Sequence, residues 1–342
     1  MSENGYIVGS NLEKALRAGY FVATGELGPP QSADRHEIEH KAGFLKGIVE
    51  SVNITDNQTA VVRMSSISVA VMLMQLGIEP NIQMTCRDRN RIAIQSDLLG
   101  AHALGVQNLL CLTGDHQTFG NHPQSKNVHD LDSMSLLMMC RDMRDKKIFQ
   151  CGDAIKGQEP RFFLGAAVNP FADPFEFRPY RLGKKMNAGA DFVQTQLIFN
   201  VPKFAEYMHR VVDLGLHEKV FVLAGVGPMR SLGAAKYMAT KVPGMDVDPD
   251  YVERMKTSTD GLPSLNDIKA MDPKEAGAAR KARKEAAEAE GIKICVEIIN
   301  ACKEIEGVAG VHIMAIEWED AVDSIVREAQ IGPKYDPARQ AA

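Results

Sequence analysis

Apolar runs, each long enough to be a buried strand, end on a polar or small residue at nearly constant intervals along this chain. FVATGE ends at Glu26, SVNIT at Thr55 and NIQMTC at Cys86, and Asp115 follows NLLCLTG, giving steps of 29, 31 and 29 residues. After an interruption, RFFLGAA ends at Ala167, FVQTQ at Gln196 and VFVLAG at Gly225, again 29 and 29 apart. About thirty residues is the length of one strand plus one crossover helix. The spacing therefore constrains the fold more than any single motif does.

Helical periodicity fills the intervals, as in 36–50, 89–105, 201–215 and 231–242. An eighth apolar run, GVHIMAI (310–316), precedes a last helical stretch at 318–330. Eight strand-helix units predict an α/β fold, a (β/α)8 TIM barrel whose continuous apolar strands form a parallel sheet buried on both faces. A doubly wound open sheet is the structural alternative. The 342 residues fit one domain, 1–342, with a barrel core at about 20–330. The excess lies in an N-terminal helix (10–19), a long loop (116–130) and a helical insertion before strand 8 (about 243–292). PKEAGAARKARKEAAEAEG (273–291) pairs opposite charges at i,i+4, which predicts a solvated helix and not a nucleic-acid surface.

Net charge is −5 and no apolar run is long enough to span a bilayer, so a cytoplasmic enzyme is expected, with neither nucleic-acid binding nor membrane insertion. MSENGYIVG has neither the basic start nor the apolar core of a signal peptide. The six cysteines contain no C-x-x-C pair, so reduced, mostly buried thiols are expected and no metal site.

In a barrel, Glu26, Thr55, Thr85, Asp115, Gln196 and Gly225 converge on the C-terminal mouth, where barrel enzymes carry their sites. Each alone has a structural explanation: Thr55 as a loop anchor, Asp115 as a turn cap, Gln196 as a partner for a strand-end amide. Together they form a pocket with two carboxylates, an amide and hydroxyls, suited to acid-base work around a bound cofactor. After strand five, Arg178, Arg181, Lys184 and Lys185 fall within eight residues; they are either a phosphate grip or a solvated helix face. The long loop brings His129, Asp130 and Asp132, available for a ribose or a ring edge.

The segments GELGPP, SVNITDN, MTCRDRN, CLTGDHQTFGNHP, GADFVQTQLIFN and GVHIMAIEWE, in that order and each at a strand end, resemble the flavin-dependent methylenetetrahydrofolate reductases from about residue 20 to 330. The resemblance implies a (β/α)8 barrel with flavin at its mouth, FAD before FMN, and a role in one-carbon metabolism. It makes Glu26 the general acid that protonates N10 of 5,10-methylenetetrahydrofolate before hydride arrives from reduced flavin. It makes Asp115 the residue that holds the pterin and influences the flavin, with Thr113 where the family has arginine, and Gln196 a substrate contact. It assigns flavin contacts to Thr55, Gln83, Gly114, Asp115, His129, Asp130, Ala166, Arg181, Lys184 and Lys185.

Departures from the family pattern bear on the electron donor. Ala234 and Met238 stand where nucleotide-using bacterial enzymes have a glutamine and a phenylalanine, Trp318 stands for an arginine after strand eight, and Gln83 for a histidine. CLTGDHQTFGNHP and HIMAIEWE look closer to the reductases of acetogenic and related anaerobic bacteria. This implies electrons delivered through a zinc- or iron-sulfur-binding partner subunit, with or without a homo-oligomer, and not by NADH bound at the same mouth. The competing expectations are a non-flavin barrel lyase that grips a phosphorylated substrate at 178–185, and a non-catalytic docking subunit.

Overall fold

The computed structural model describes residues 5–242 and 244–333, and in it eight parallel strands close into a barrel in chain order. They are β1 (Val22–Leu27), β2 (Ser51–Ile54), β3 (Pro80–Thr85), β4 (Asn108–Leu112), β5 (Phe163–Val168), β6 (Phe192–Leu197), β7 (Phe221–Val226) and β8 (Val308–Ile313). Closure comes from β1 against β8, where Val22 pairs with Gly310 and Thr24 with His312. The two strands approach so closely that a Cβ on Gly310 would lie 2.4 Å from the Val22 carbonyl oxygen. The β/α repeat expected from the spacing is therefore the observed fold.

Alternation along each strand separates two cores. Ala23, Val52, Ile54, Ile82, Leu109, Leu164, Val193, Val222, Val311 and Ile313 are fully buried in the layer shared with the helices. Val22, Leu110, Phe163, Phe192 and Leu223 fill the bottom of the barrel, where the Phe163 and Phe192 rings stack at 5.2 Å. Leu12, Ala15 and Leu16 of α1 (Asn11–Arg17) seal it from below. The first turn of that helix would leave N–H groups orphaned. The Glu79 carboxylate accepts two of them, from Asn11 at 2.5 Å and Leu12 at 3.1 Å.

The surrounding helices are α2 (Arg35–Gly43), α3 (Ser66–Gln75), α4 (Arg91–Ala103), α5 (Ser133–Asp145), α6 (Arg178–Ala188), α7 (Val201–Asp213), α8 (Leu232–Lys241), α9 (Pro249–Thr257), α10 (Leu265–Ala270), α11 (Pro273–Lys303) and α12 (Ala321–Glu328). No helix among the described residues is long and apolar enough to cross a membrane.

Two boundaries differ from expectation. The insertion does not stop near 292, because α11 runs unbroken to Lys303 and its second half buries Ile294, Cys295, Ile298, Ile299 and Cys302. One helix thus serves both as the outer insertion and as the packing layer before β8. At its midpoint a Cβ on Gly291 would lie 1.9 Å from the Met229 carbonyl, so only glycine permits the crossing. Strand β8 ends at Ile313, not at 316: Met314 still donates to the Val226 carbonyl at 2.8 Å, and the chain then turns through Glu317 at φ 60°. All six cysteines are free thiols, five of them buried and Cys151 exposed.

Candidate active site at the barrel mouth

A cavity of about 520 Å³ opens at the C-terminal ends of the strands, lined by Glu26, Gln83, Asp115, Arg178, Arg181, Lys185, Gln194, Gln196, His312 and the apolar Leu110, Leu112, Ala167, Val168 and Met314, among others. Its size and mixed lining suit a small-molecule ligand. Glu26 is 6 % exposed at the end of β1. Its Oε2 accepts a hydrogen bond from Gln83 Nε2 at 3.1 Å and lies 3.4 Å from His312 Nε2. Among the described residues neither lysine nor arginine pairs with it. This is an acid facing neutral or titratable neighbours inside a cavity.

Beneath Glu26 the barrel interior is polar. His312 Nδ1 lies 2.9 Å from Thr24 Oγ1, Gln194 Nε2 reaches that oxygen at 3.5 Å, and Gln194 Oε1 accepts Asn53 Nδ2 at 2.6 Å. All four side chains are buried. A buried polar layer persists only when its members satisfy one another. The sequence analysis did not identify His312, Thr24, Asn53 or Gln194. Thr24, Asn53 and Gln194 shared one signal, a polar residue two positions before Glu26, Thr55 and Gln196, because side chains two apart on a strand share a face.

One wall of the cavity is cationic. Arg178, Arg181 and Lys185 come from α6, whose start follows β5. Lys185 is 8 % exposed and its ammonium contacts the Ala167 carbonyl. Burial, with the nearby Arg181 charge, pushes its pKa down to about 8. An anion placed here would relieve that penalty. Lys184, one residue earlier, is exposed and lies over the Phe177 ring at 5.3 Å, outside the cavity. Of the pair expected together, α6 aims one inward and one outward.

Asp115 is exposed at the rim, where its Oδ2 accepts the Thr59 backbone N–H at 3.0 Å. That bond holds a loop in which Asn57, Thr59 and Ala60 all have positive φ (47°, 55° and 57°), a costly conformation for residues other than glycine. Asp56, buried beside it, joins the ends of β2 and β3 by accepting Thr85 N and Oγ1 at 2.9 and 3.0 Å. Gln196 lines the cavity while its Oε1 accepts the Leu197 N–H at 2.9 Å.

The remaining expected contacts lie off the cavity wall. Thr55 is buried with no hydrogen-bond partner for its hydroxyl oxygen. Gly114, at φ 93°, packs its α-carbon so tightly that a Cβ would sit 3.0 Å from Thr85 Cβ. His129 is exposed on the long loop, and Asp130 is bound by Arg91 through its backbone N–H and guanidinium. Ala166 is fully buried in the outer core; its neighbour Ala167 lines the cavity instead. Among the described residues no cluster of His, Cys, Asp and Glu could hold a metal ion.

Beside the main cavity, and sharing Met314 with it, is a cleft of about 220 Å³ formed in part by Ala234, Met238, Ile316 and Trp318. Arg230 lies over the Trp318 ring at 5.5 Å.

Together these features define a (β/α)8 barrel protein with a buried acid and a cationic ligand wall at its mouth. The chain belongs to the methylenetetrahydrofolate reductase family, whose sequence profile matches residues 11–268. It is 24% identical over 267 residues to "Probable methylenetetrahydrofolate reductase (NADPH)" of Caenorhabditis elegans, covering 77% of this chain and 34% of that protein. It is 23% identical over 190 residues to "Methylenetetrahydrofolate reductase 2" of Schizosaccharomyces pombe (strain 972 / ATCC 24843), covering 52% of this chain and 27% of that one. The chain thus spans about a third of the length of these curated relatives. Among solved structures, a Clostridium thermocellum protein described as binding two copies of 5-methyl-5,6,7,8-tetrahydrofolic acid shares the fold with a TM-score of 0.56 and 13% identity, covering 93% of this chain and 98% of that one.

Proposed function

We propose that this chain is a flavin-dependent reductase that converts 5,10-methylenetetrahydrofolate to 5-methyltetrahydrofolate, with electrons supplied through a partner subunit. The observation that carries the reading is Glu26: a buried carboxyl in a ligand-sized cavity, hydrogen-bonded by an amide and, among the described residues, unpaired with any lysine or arginine. Family membership supports the folate substrate and the flavin.

The residues present fit a flavin. Arg178, Arg181 and the buried Lys185 supply an anion site, and Leu110, Leu112, Ala167, Val168 and Met314 supply apolar wall for a planar ring system. When bound in its reduced form, the flavin supplies the hydride. Glu26 donates a proton to N10 of the substrate; the methylene carbon to N10 bond breaks and an iminium forms at N5. That carbon then accepts the hydride and becomes the methyl group. General acid catalysis of this kind contributes roughly 10²- to 10⁴-fold. Asp115, at the rim, is the hydrogen-bond acceptor for the pterin edge, and Gln196 contacts the substrate from the end of β6.

The donor assignment rests on the cleft beside Met314. Ala234 and Met238 offer neither hydrogen bonds nor an aromatic face to a nicotinamide nucleotide, and Trp318 is already covered by Arg230. Electrons therefore arrive through a protein partner, zinc- or iron-sulfur-binding in keeping with the anaerobe-type reductases, and not by NADH binding at this mouth. FAD is the first assignment and FMN the alternative.

The test is spectroscopic. The purified protein is expected to be yellow, or to turn yellow on reconstitution with FAD or FMN, and its reduced flavin to be reoxidised by methylenetetrahydrofolate. A protein that binds neither flavin overturns the reading. Stopped-flow mixing with NADH or NADPH is expected to leave the flavin of the isolated chain oxidised, and rapid bleaching would overturn the partner assignment.

A further inference from the structure

The buried amides below Glu26 form a connected chain, in which Gln194 Nε2 is shared between Asn53 Oδ1 at 3.3 Å and Thr24 Oγ1 at 3.5 Å. Asn81 Nδ2 donates to Asn53 Oδ1 at 2.7 Å, Asn53 Nδ2 to Gln194 Oε1 at 2.6 Å, and Gln194 Nε2 to Thr24 Oγ1 at 3.5 Å. With its oxygen accepting from Gln194, Thr24 sends its own hydrogen onward. His312 Nδ1 is 2.9 Å away, against 3.4 Å for the Val311 carbonyl, so the imidazole nitrogen is the better acceptor. A neutral imidazole that accepts at Nδ1 carries its hydrogen at Nε2. Nε2 faces Glu26 Oε2 at 3.4 Å.

Gln83 Nε2 donates to that same Oε2 at 3.1 Å. Two donors therefore converge on one oxygen of Glu26. A proton on Oε2 would point at two N–H groups, whereas Oε1 has no donor against it among the described residues.

We propose that Glu26 carries and delivers its proton from Oε1, and that His312 is the positioning residue that enforces this by presenting Nε2–H to Oε2. The inference rests on the acid role given to Glu26 above. When Oε1–H transfers to the substrate amine nitrogen, the O–H bond breaks, its electron pair stays on the carboxylate, and the Oε2 lobe of that charge is already met by the N–H groups of His312 and Gln83. A solvent proton restores Oε1–H once product leaves the cavity. The short Thr24 contact favours this tautomer, and Asn81, Asn53, Gln194 and Thr24 act on the substrate only through His312 and Glu26.

The experiment is ¹⁵N-histidine NMR of the full chain, with the His312 signals assigned by their loss in His312→Gln or, if that variant does not fold, in His312→Phe. The expected result is a His312 ring protonated at Nε2 and unprotonated at Nδ1, with shifts that move in Glu26→Gln. A ring protonated at Nδ1 alone, or one indifferent to Glu26→Gln, overturns the inference. Kinetics supply a second readout. His312→Gln, which can still offer an amide N–H, should lower kcat by roughly tenfold and His312→Phe by roughly a hundredfold, with KM within about threefold of the parent in both. Equal loss in both variants would mean His312 only fills space. Failure of the unaltered protein to reduce methylenetetrahydrofolate would overturn the proposed function while leaving the NMR result to decide the tautomer.

Discussion

The Arg89 guanidinium holds the Asp56 carboxylate through both oxygens, Nη1 to Oδ2 at 2.7 Å and Nη2 to Oδ1 at 3.2 Å. Asp56 also takes the Thr85 N–H and hydroxyl, so one buried carboxylate joins the ends of β2 and β3 directly under the loop that Asp115 braces. Removing one partner of such a pair leaves an uncompensated charge. Asp56→Ala should cost roughly 3 kcal/mol in urea unfolding. It should also loosen the positive-φ turn at 57–60, read as faster amide exchange there. A change below about 0.5 kcal/mol would show that the pair is not a structural tie.

Lys185 sets a pH dependence for anion binding. Burial, then the Arg181 charge, pushes the ammonium down to about 8 in the ligand-free protein. Below that value the lysine is charged and attracts an anion, and above it the charge is lost. Affinity for FMN, measured by fluorescence quenching, should therefore weaken as pH rises through about 8. Lys185→Met should weaken it below about pH 8 and converge on the parent above that value, and Lys185→Arg should flatten the profile because a guanidinium keeps its proton. Affinity that does not change across that interval would remove Lys185 from the anion site.

The sealed bottom of the barrel should be acid-sensitive. Burial pushes the Glu13 carboxyl up, but the N–H groups of Ile7, Val8 and Gly9 together with Arg17 outweigh it and hold the group below its ordinary 4.5. A lowered carboxyl stabilises the fold fully above its unfolded pKa, and that contribution is lost as pH falls through the folded value. Glu13→Gln should cost about 1–3 kcal/mol at neutral pH, and the gap between variant and parent in thermal melts should narrow below about pH 4. A constant gap would contradict this account.

The barrel was legible because its strands are continuous apolar runs at a regular spacing, a signal that survives without knowledge of any contact. α3 was less legible: SISVAVMLMQ is apolar almost all round, so it carries little helical periodicity. The length of α11 was hidden because its charged first half and apolar second half read as two elements, with Gly291 between them reading as a helix stop. At the site, Glu26 was legible as a charge at a strand end and Lys185 as one of a cluster of cations after strand five. His312 was not, because a single polar residue inside GVHIMAI reads as an ordinary strand position until closure sets β8 beside β1. Ala166 and Ala167 were separable only through the pleat, since a shift of one residue exchanges core for cavity.

Glu26→Gln measured in the two half-reactions tests the central claim most directly. The amide keeps the shape of the side chain and loses its acidic proton. Flavin binding and reduction by an artificial donor should stay near the parent values, while reoxidation of the reduced enzyme by methylenetetrahydrofolate should slow by roughly 10²- to 10⁴-fold. Reoxidation at the parent rate would contradict the assignment of Glu26 as the acid.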